Sequence, residues 1–348
     1  MGGAMAVREK ANINFATLPF GYQKTDCHVR YTWRNGHWDE GVVSDEESFP
    51  IHIAATCLHY GQAAFEGLKV YEAKDGRILA FRMAENAKRM IHSANILLME
   101  PPPIELFCRA VRRVVKLNER FIPPYGSGAS LYVRPLLFGT GARIGVSPAD
   151  EYTLLILVTP VGPYFKQGFS PTKLIIETEL DRAAPHGVGT AKAGGNYAAG
   201  MRATVKAKRA GYGEALYLDA REHKYIDELG AANFFGISKQ NAYVTPKSPS
   251  ILRSITNMSL RELAPDLGYG VEERPVPLAE LREFLETGAC GTAAVITPIE
   301  SITLGDEHII YLPDGKPGPH CTRLYKGLTA IQYGDAPDKY GWTEVIEI

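Results

Sequence analysis

The chain has 348 residues, 45% of them hydrophobic and 22% charged, a composition that fits an ordinary soluble globular protein with more than one core. Lys plus Arg (38) nearly balances Asp plus Glu (39), for a net charge of -1, which argues against nucleic acid or an anionic membrane as the main partner. Five cysteines without a CxxC spacing and nine histidines without HxxxH or HExxH point to reduced thiols and away from a metal enzyme.

No apolar run approaches the ~20 residues of a membrane span. The start, "MGGAMAVREKANINF", lacks the apolar region of a signal peptide and reads as an expression scar or a native tail, so the cytoplasm is the expected location. "VRYTWRNGHWDEGVV" predicts a hairpin about Asn35-Gly36, and "AFEGLKVYEAKDGRILAFR" a second about Asp75-Gly76. From Glu85 to about Met99, the residues Ala87, Met90, Ile91, Ala94, Leu97 and Leu98 share one helical face. "IELFCRAVRRVVKLNERF" predicts a second amphipathic helix, and "SLYVRPLLF" and "YTLLILVTP" predict strands. Residues 1–160 thus read as a small N-terminal α+β domain.

The Gly- and Pro-rich stretch 161–172 reads as an interdomain linker. Beyond it, 173–348 reads as a larger domain of short strands ("KLIIETEL", "EALYLDA", "NFFGISK", "NAYVTP") with helices to one side. The helices are expected at "TNMSLRELAPDL", "PLAELREFLETG" and about 319–332, with "GTAAVITPI" as a strand. The elements do not alternate as βαβ, which disfavours a Rossmann sheet and leaves an α+β or barrel-like unit.

"GTAKAGGNYAAG" sets Lys192 among small residues, five before Tyr197. Three readings are open. A phosphate loop needs GxxxxGK[ST], and "GVGTAKAG" lacks the Gly before the lysine and the Ser/Thr after it. A flexible surface loop fits the glycines. A buried reactive amine also fits, because desolvation among small apolar neighbours lowers a lysine's pKa and leaves room for a flat ligand. "KYIDELGAANFFGI" places Asp227 and Glu228 among apolar residues, either as an acidic turn or as an acid facing a pyridine nitrogen, which a pyridoxal phosphate enzyme needs alongside its lysine.

"AKAGGNYAAG" followed by "DELGAANFFGI" resembles the signature of the class IV, fold-type IV pyridoxal phosphate aminotransferases, and most closely the branched-chain amino acid aminotransferases. The resemblance extends in order through "LHYGQAAFEGLKVYE", "NAKRMIHSA", "LYVRPLLFGTGARIGVSP", "LLILVTPVGPYF", "ILRSITNMSL", "GTAAVITPI" and "IQYGDAPDKYGW". It implies a two-domain α+β fold with a β-barrel-like cofactor domain, and a ping-pong exchange of amino groups between L-leucine, L-isoleucine or L-valine and 2-oxoglutarate. Lys192 would hold the cofactor and move the substrate's Cα proton, and Glu228 would bond the pyridine nitrogen. Tyr197 would bond the phenolic oxygen. Arg89, Ile255, Thr256 and Thr292 would hold the phosphate, the isoleucine–threonine pair through a helix N-terminus.

For substrate, the resemblance implies that the N–H groups of Thr292 and Ala293 and the hydroxyl of Tyr132 receive the α-carboxylate. Tyr60, Phe65, Tyr164 and Val146 would line the side-chain pocket, Val146 reaching across a homodimer. Phe65 and Tyr164 read equally as core aromatics. Arg134 would accept glutamate's distal carboxylate from the rim. Ser254 stands where the family usually has Gly, and Asn257 where Arg is common; backbone donors survive both changes. Ala294 and Thr297 stand where some members carry a redox CxxC, so no thiol switch is expected. A D-amino-acid aminotransferase, an aminodeoxychorismate lyase and a non-enzymatic binding module are the other readings.

Overall fold

The structure is a computed structural model in which residues 9–163 and 168–348 are described. Two sheets organise the described residues. The first has nine strands, with Ser130–Gly139 and Glu151–Val161 paired antiparallel over their whole length at its centre. Both expected hairpins form: His28–Arg34 turns into His37–Trp38 with Asn35 and Gly36 at φ 55 and 85°, and Leu68–Glu72 pairs with Ile78–Phe81. Positive φ at two successive residues is the turn that matches strand twist, which is why Asn-Gly is legible.

Helices Met83–Ile96 and Ile104–Leu117 cover one face of this sheet. The second helix buries Leu106, Phe107, Val111, Val114 and Val115. Each such side chain contributes about 1.5–3 kcal/mol on burial, which outweighs the roughly 0.7 kcal/mol helix-propensity cost of a β-branched residue. The first helix stops at Ile96, earlier than its apolar pattern suggests. Leu98 takes φ 51° and is 67% exposed, while its carbonyl accepts hydrogen bonds from Gln62 and Tyr152.

The second sheet has ten strands, and part of it closes. Asn233–Ser238, Phe284–Gly291, Val295–Leu304, Thr172–Glu177, Glu214–Leu218 and Tyr225–Leu229 follow one another in pairing order, and the last pairs back to the first through Glu228 and Asn233. The resulting barrel is filled by Leu174, Leu216, Ile226, Phe234, Ile299 and Ile302. Helices Ile255–Leu263 and Pro319–Gln332 pack outside it in a cluster that also takes Tyr71, Phe81 and Trp342, so the two sheets share an apolar seam. The last strand, Thr343–Val345, pairs with Ile78–Phe81 and so joins the first sheet.

One expectation needs correction, and one helix stands where none was expected. "PLAELREFLETG" is not one helix: a 3-10 turn covers Leu278–Glu283, and Phe284–Gly291 is a central barrel strand. Gly288 lies so close to Phe235 that an added Cβ would stand 2.3 Å from its ring, a constraint that only the paired sheet creates. The 16-residue helix Gly194–Arg209 follows Lys192 directly. Its first turn is Gly-Gly, which hides it from a propensity reading, and it packs Ala203 and Ala207 on Ala215 and Tyr217.

Candidate active site

Lys192 sits in the loop between Thr172–Glu177 and Gly194–Arg209, pinned by its own backbone. Its N–H donates to Ser93 Oγ (2.9 Å) and its carbonyl accepts from the N–H of Phe65 (3.0 Å), so the loop is tied to both the helix and the strand of the first sheet. The flexible-loop and phosphate-loop readings therefore fall away. The side chain faces a cavity of about 330 Å³, where Nζ donates to Tyr197 Oη (2.7 Å) and lies 4.7 Å from the centre of the Phe65 ring. Burial, reinforced by the Arg89 and Arg134 charges and opposed by Glu66 and Glu228, pulls its ammonium down to about 7. Half of the amine is then free near neutral pH, whereas an ordinary lysine titrates near 10.4. In the cofactor-free protein, labelling of Lys192 by an amine-selective reagent should rise through pH 7; a labelling midpoint near 10 would contradict this environment.

Glu228 lies at the barrel's closing pair and is 3% exposed. It accepts from the Leu252 N–H and from Asn233 Nδ2, both at 2.7 Å, and pairs with Arg182 Nη2 at 2.7 Å. Burial pushes its carboxyl up to about 7 while Arg182 and those two donors pull it back. Its neighbour Asp227 points elsewhere, to Ser250 Oγ (2.8 Å), as alternation along a strand requires. Glu228 is thus the acid of the pair that lines the cavity.

Arg89 is buried against fully buried Glu66, donating from Nε (2.7 Å) and Nη2 (2.8 Å), with Nη1 on the Arg253 carbonyl (3.0 Å). Three of a guanidinium's five N–H groups are so used, leaving two for an anion. Helix Ile255–Leu263 begins beside it, capped by Ser254 Oγ, which accepts from the Asn257 N–H (3.2 Å). The N–H groups of Ile255 and Thr256 have no partner within a helix that starts there. They border a small cavity that shares Gly67 and Thr292 with the main one. Ser254 thus works as a cap where a glycine was expected, and Asn257 is spent on Thr245 and Asn233.

Tyr132, Arg134, Thr292 and Ala293 also line the main cavity. Tyr132 Oη accepts from Arg134 Nη2 (3.2 Å), and the Arg134 guanidinium lies over the rings of Phe65 and Tyr132 at 4.9 and 5.2 Å. Gly67 permits this: a Cβ there would stand 1.9 Å from Tyr132 Oη. Tyr60 and Val146 lie outside this cavity's lining, at 40% and 88% exposure, and Tyr164 lies outside the described residues. Arg182, Glu66 and Phe20, which reach Glu228, Arg89 and the Tyr132 ring from distant parts of the chain, and Asn233, which bonds Glu228 from five residues on, are not marked in the sequence. Cys290 lines the cavity as a buried thiol pushed up to about 12 by burial, and Ala294 and Thr297 supply no partner thiol.

A cavity of this size is at the small end of the ~300–1,000 Å³ that binds small ligands. It joins an amine of lowered pKa, a buried carboxyl, a phenol and a guanidinium with free N–H groups. That donor set fits the aldehyde, ring nitrogen, phenolic oxygen and phosphate of pyridoxal 5'-phosphate.

Residues 63–302 match the family described as "Amino-transferase class IV", and the chain belongs to that class, whose cofactor is pyridoxal 5'-phosphate. Within the class it is 46% identical to the branched-chain-amino-acid aminotransferase of Haemophilus influenzae, covering 97% of this chain and 99% of that protein. It is 44% identical to the Arabidopsis thaliana branched-chain-amino-acid aminotransferase 5, chloroplastic, over 97% of this chain and 81% of that one. The crystal structure of the Escherichia coli branched-chain amino acid aminotransferase superposes with a TM-score of 0.77 at 29% identity, covering 93% of this chain and all of that one. The branched-chain amino acid aminotransferase of Thermobaculum terrenum, solved in its pyridoxal phosphate form, gives 0.75 at 25% identity over 94% of this chain and 100% of that one.

Proposed function

We infer that this chain transaminates L-leucine, L-isoleucine and L-valine with 2-oxoglutarate, giving the branched 2-oxo acids and L-glutamate. The observation that carries this is the convergence of Lys192, Tyr197, Glu228 and Arg89 on one cavity whose lining also holds Tyr132, Arg134, Thr292 and Ala293. When bound, pyridoxal phosphate supplies the electron sink that lets an amino acid's Cα–H bond break. Arg89, Thr292 and the first N–H groups at Ile255 and Thr256 hold its phosphate, and Tyr197 meets its phenolic oxygen. Glu228, paired with Arg182, would hold a proton on the ring nitrogen. Lys192, low in pKa and oriented by Tyr197, takes the proton from the substrate Cα and returns it.

The substrate α-carboxylate meets the N–H groups of Thr292 and Ala293. Tyr132 joins them, because its oxygen accepts from Arg134 and its own proton is left to donate. Phe65 offers apolar wall to a branched side chain. Arg134, whose guanidinium lies over the Phe65 and Tyr132 rings, binds glutamate's second carboxylate by charge-assisted bonds. A coupled assay of L-glutamate formation should show turnover with L-leucine and none with D-alanine; the reverse preference would overturn the assignment.

We also propose a homodimer, a cytoplasmic location, and the division into 1–160, a linker 161–172 and 173–348, with the last strand crossing back. Ile53, Leu58, Tyr60, Ile144 and Val146 form two exposed apolar segments, joined where the Tyr60 hydroxyl donates to the Ile144 carbonyl. Such a surface supports a partner copy that brings Val146 and Tyr60 to the pocket. Val146→Asp should shift the sedimenting species from twice the chain mass toward one; an unchanged dimer would move the interface elsewhere. Five free cysteines support a reducing compartment.

A further inference from the structure

Behind the Thr292–Ala293 loop lies a second cavity of about 360 Å³, and Ala293 borders both cavities. Lys69 reaches into its wall and donates to the Ala293 carbonyl at 2.7 Å. No carboxylate lies within ion-pair distance of Lys69 among the described residues, and burial alone draws its ammonium down to about 8. An ammonium has three N–H groups, so two remain for a ligand. Gln332, 5% exposed, lines the same space, and its Oε1 is a buried acceptor with no partner. The remaining walls are aromatic: Tyr71 and Tyr333 meet edge to face at 4.7 Å, and Phe169 stacks on Tyr325 at 4.4 Å.

A half-buried cation without a counter-charge and a buried acceptor without a donor both leave polar groups unsatisfied, and a single ligand can satisfy the two. We propose that this cavity is a second binding site for an α-amino acid with an apolar side chain. Its carboxylate meets Lys69 Nζ, its ammonium donates to Gln332 Oε1, and its side chain packs among the four aromatic rings. Asp335 lies at the same wall, where it accepts from the Tyr125 hydroxyl, and it disfavours a second carboxylate on the ligand. Drawing Lys69 toward a ligand takes its ammonium from the Ala293 carbonyl and loosens the loop. That inhibitory consequence, unlike the binding, rests on the carboxylate-binding role proposed above for Thr292 and Ala293.

The test uses α-methyl-L-phenylalanine, which has no Cα–H to lose, on the cofactor-loaded enzyme. Calorimetry should resolve two binding events per chain, only one of which perturbs the visible spectrum of the cofactor. The silent event should weaken about tenfold or more in Lys69→Met. It should be lost in Thr329→Trp, which fills the cavity from helix Pro319–Gln332 and leaves L-leucine turnover unchanged. Inhibition of turnover should persist at saturating L-leucine. A single event per chain that moves the spectrum, is unaffected in both variants and is fully relieved by L-leucine would overturn the proposal.

Discussion

Lys192→Ala should lower kcat for L-leucine by on the order of 10⁴-fold, because in the proposed mechanism one side chain both holds the cofactor and carries the Cα proton. The loss is expected without damage to the fold. The side chain makes one hydrogen bond, to Tyr197, while the loop is pinned by backbone contacts to Ser93 and Phe65 that alanine keeps. Removing an amine whose charged form is disfavoured by burial should leave the Tm unchanged or slightly higher. Steady-state kinetics beside a thermal melt separates the two effects. Activity within tenfold of wild type in a folded variant would remove Lys192 from the chemistry.

Glu228→Gln should cost about 10²- to 10³-fold in kcat with cofactor still bound, the scale on which loss of one preorganised charge acts. The amide keeps the shape and can still accept from the Leu252 N–H, but it carries no charge to hold a proton on the ring nitrogen. It also leaves Arg182, 7% exposed, without its counter-ion, so a moderate fall in Tm accompanies the kinetic loss. The fall in kcat should exceed any rise in KM, since the proposed role of Glu228 is toward the ring and not the substrate carboxylate. A variant that loses only stability, with kcat within twofold, would reduce Glu228 to a structural ion-pair partner.

The parts legible in the sequence are those whose cause is local. Asn35-Gly36 and Asp75-Gly76 declare hairpins through φ, and the small residues around Lys192 raise a buried amine as one of three readings. Leu98 misleads because apolar periodicity does not register where a helix ends. "FLETG" reads as the end of a helix because its strand character comes from neighbours on both sides in the closed barrel. The supporting residues are illegible for the same reason. Lys69 and Ala293 are 224 positions apart, and Arg182 is an ordinary loop arginine until the barrel brings Glu228 to it. Arg89 is legible as a motif member, but the reason it points inward is Glu66, which no spacing marks.

The measurement that reaches the central claim most directly is the visible spectrum of the purified protein supplied with pyridoxal phosphate, before and after L-leucine is added without any 2-oxo acid. A yellow band that bleaches with L-leucine, is restored by 2-oxoglutarate, and is missing in Lys192→Ala is the predicted result. A protein that stays colourless with cofactor supplied, or a yellow band that D-alanine bleaches and L-leucine does not, would contradict it.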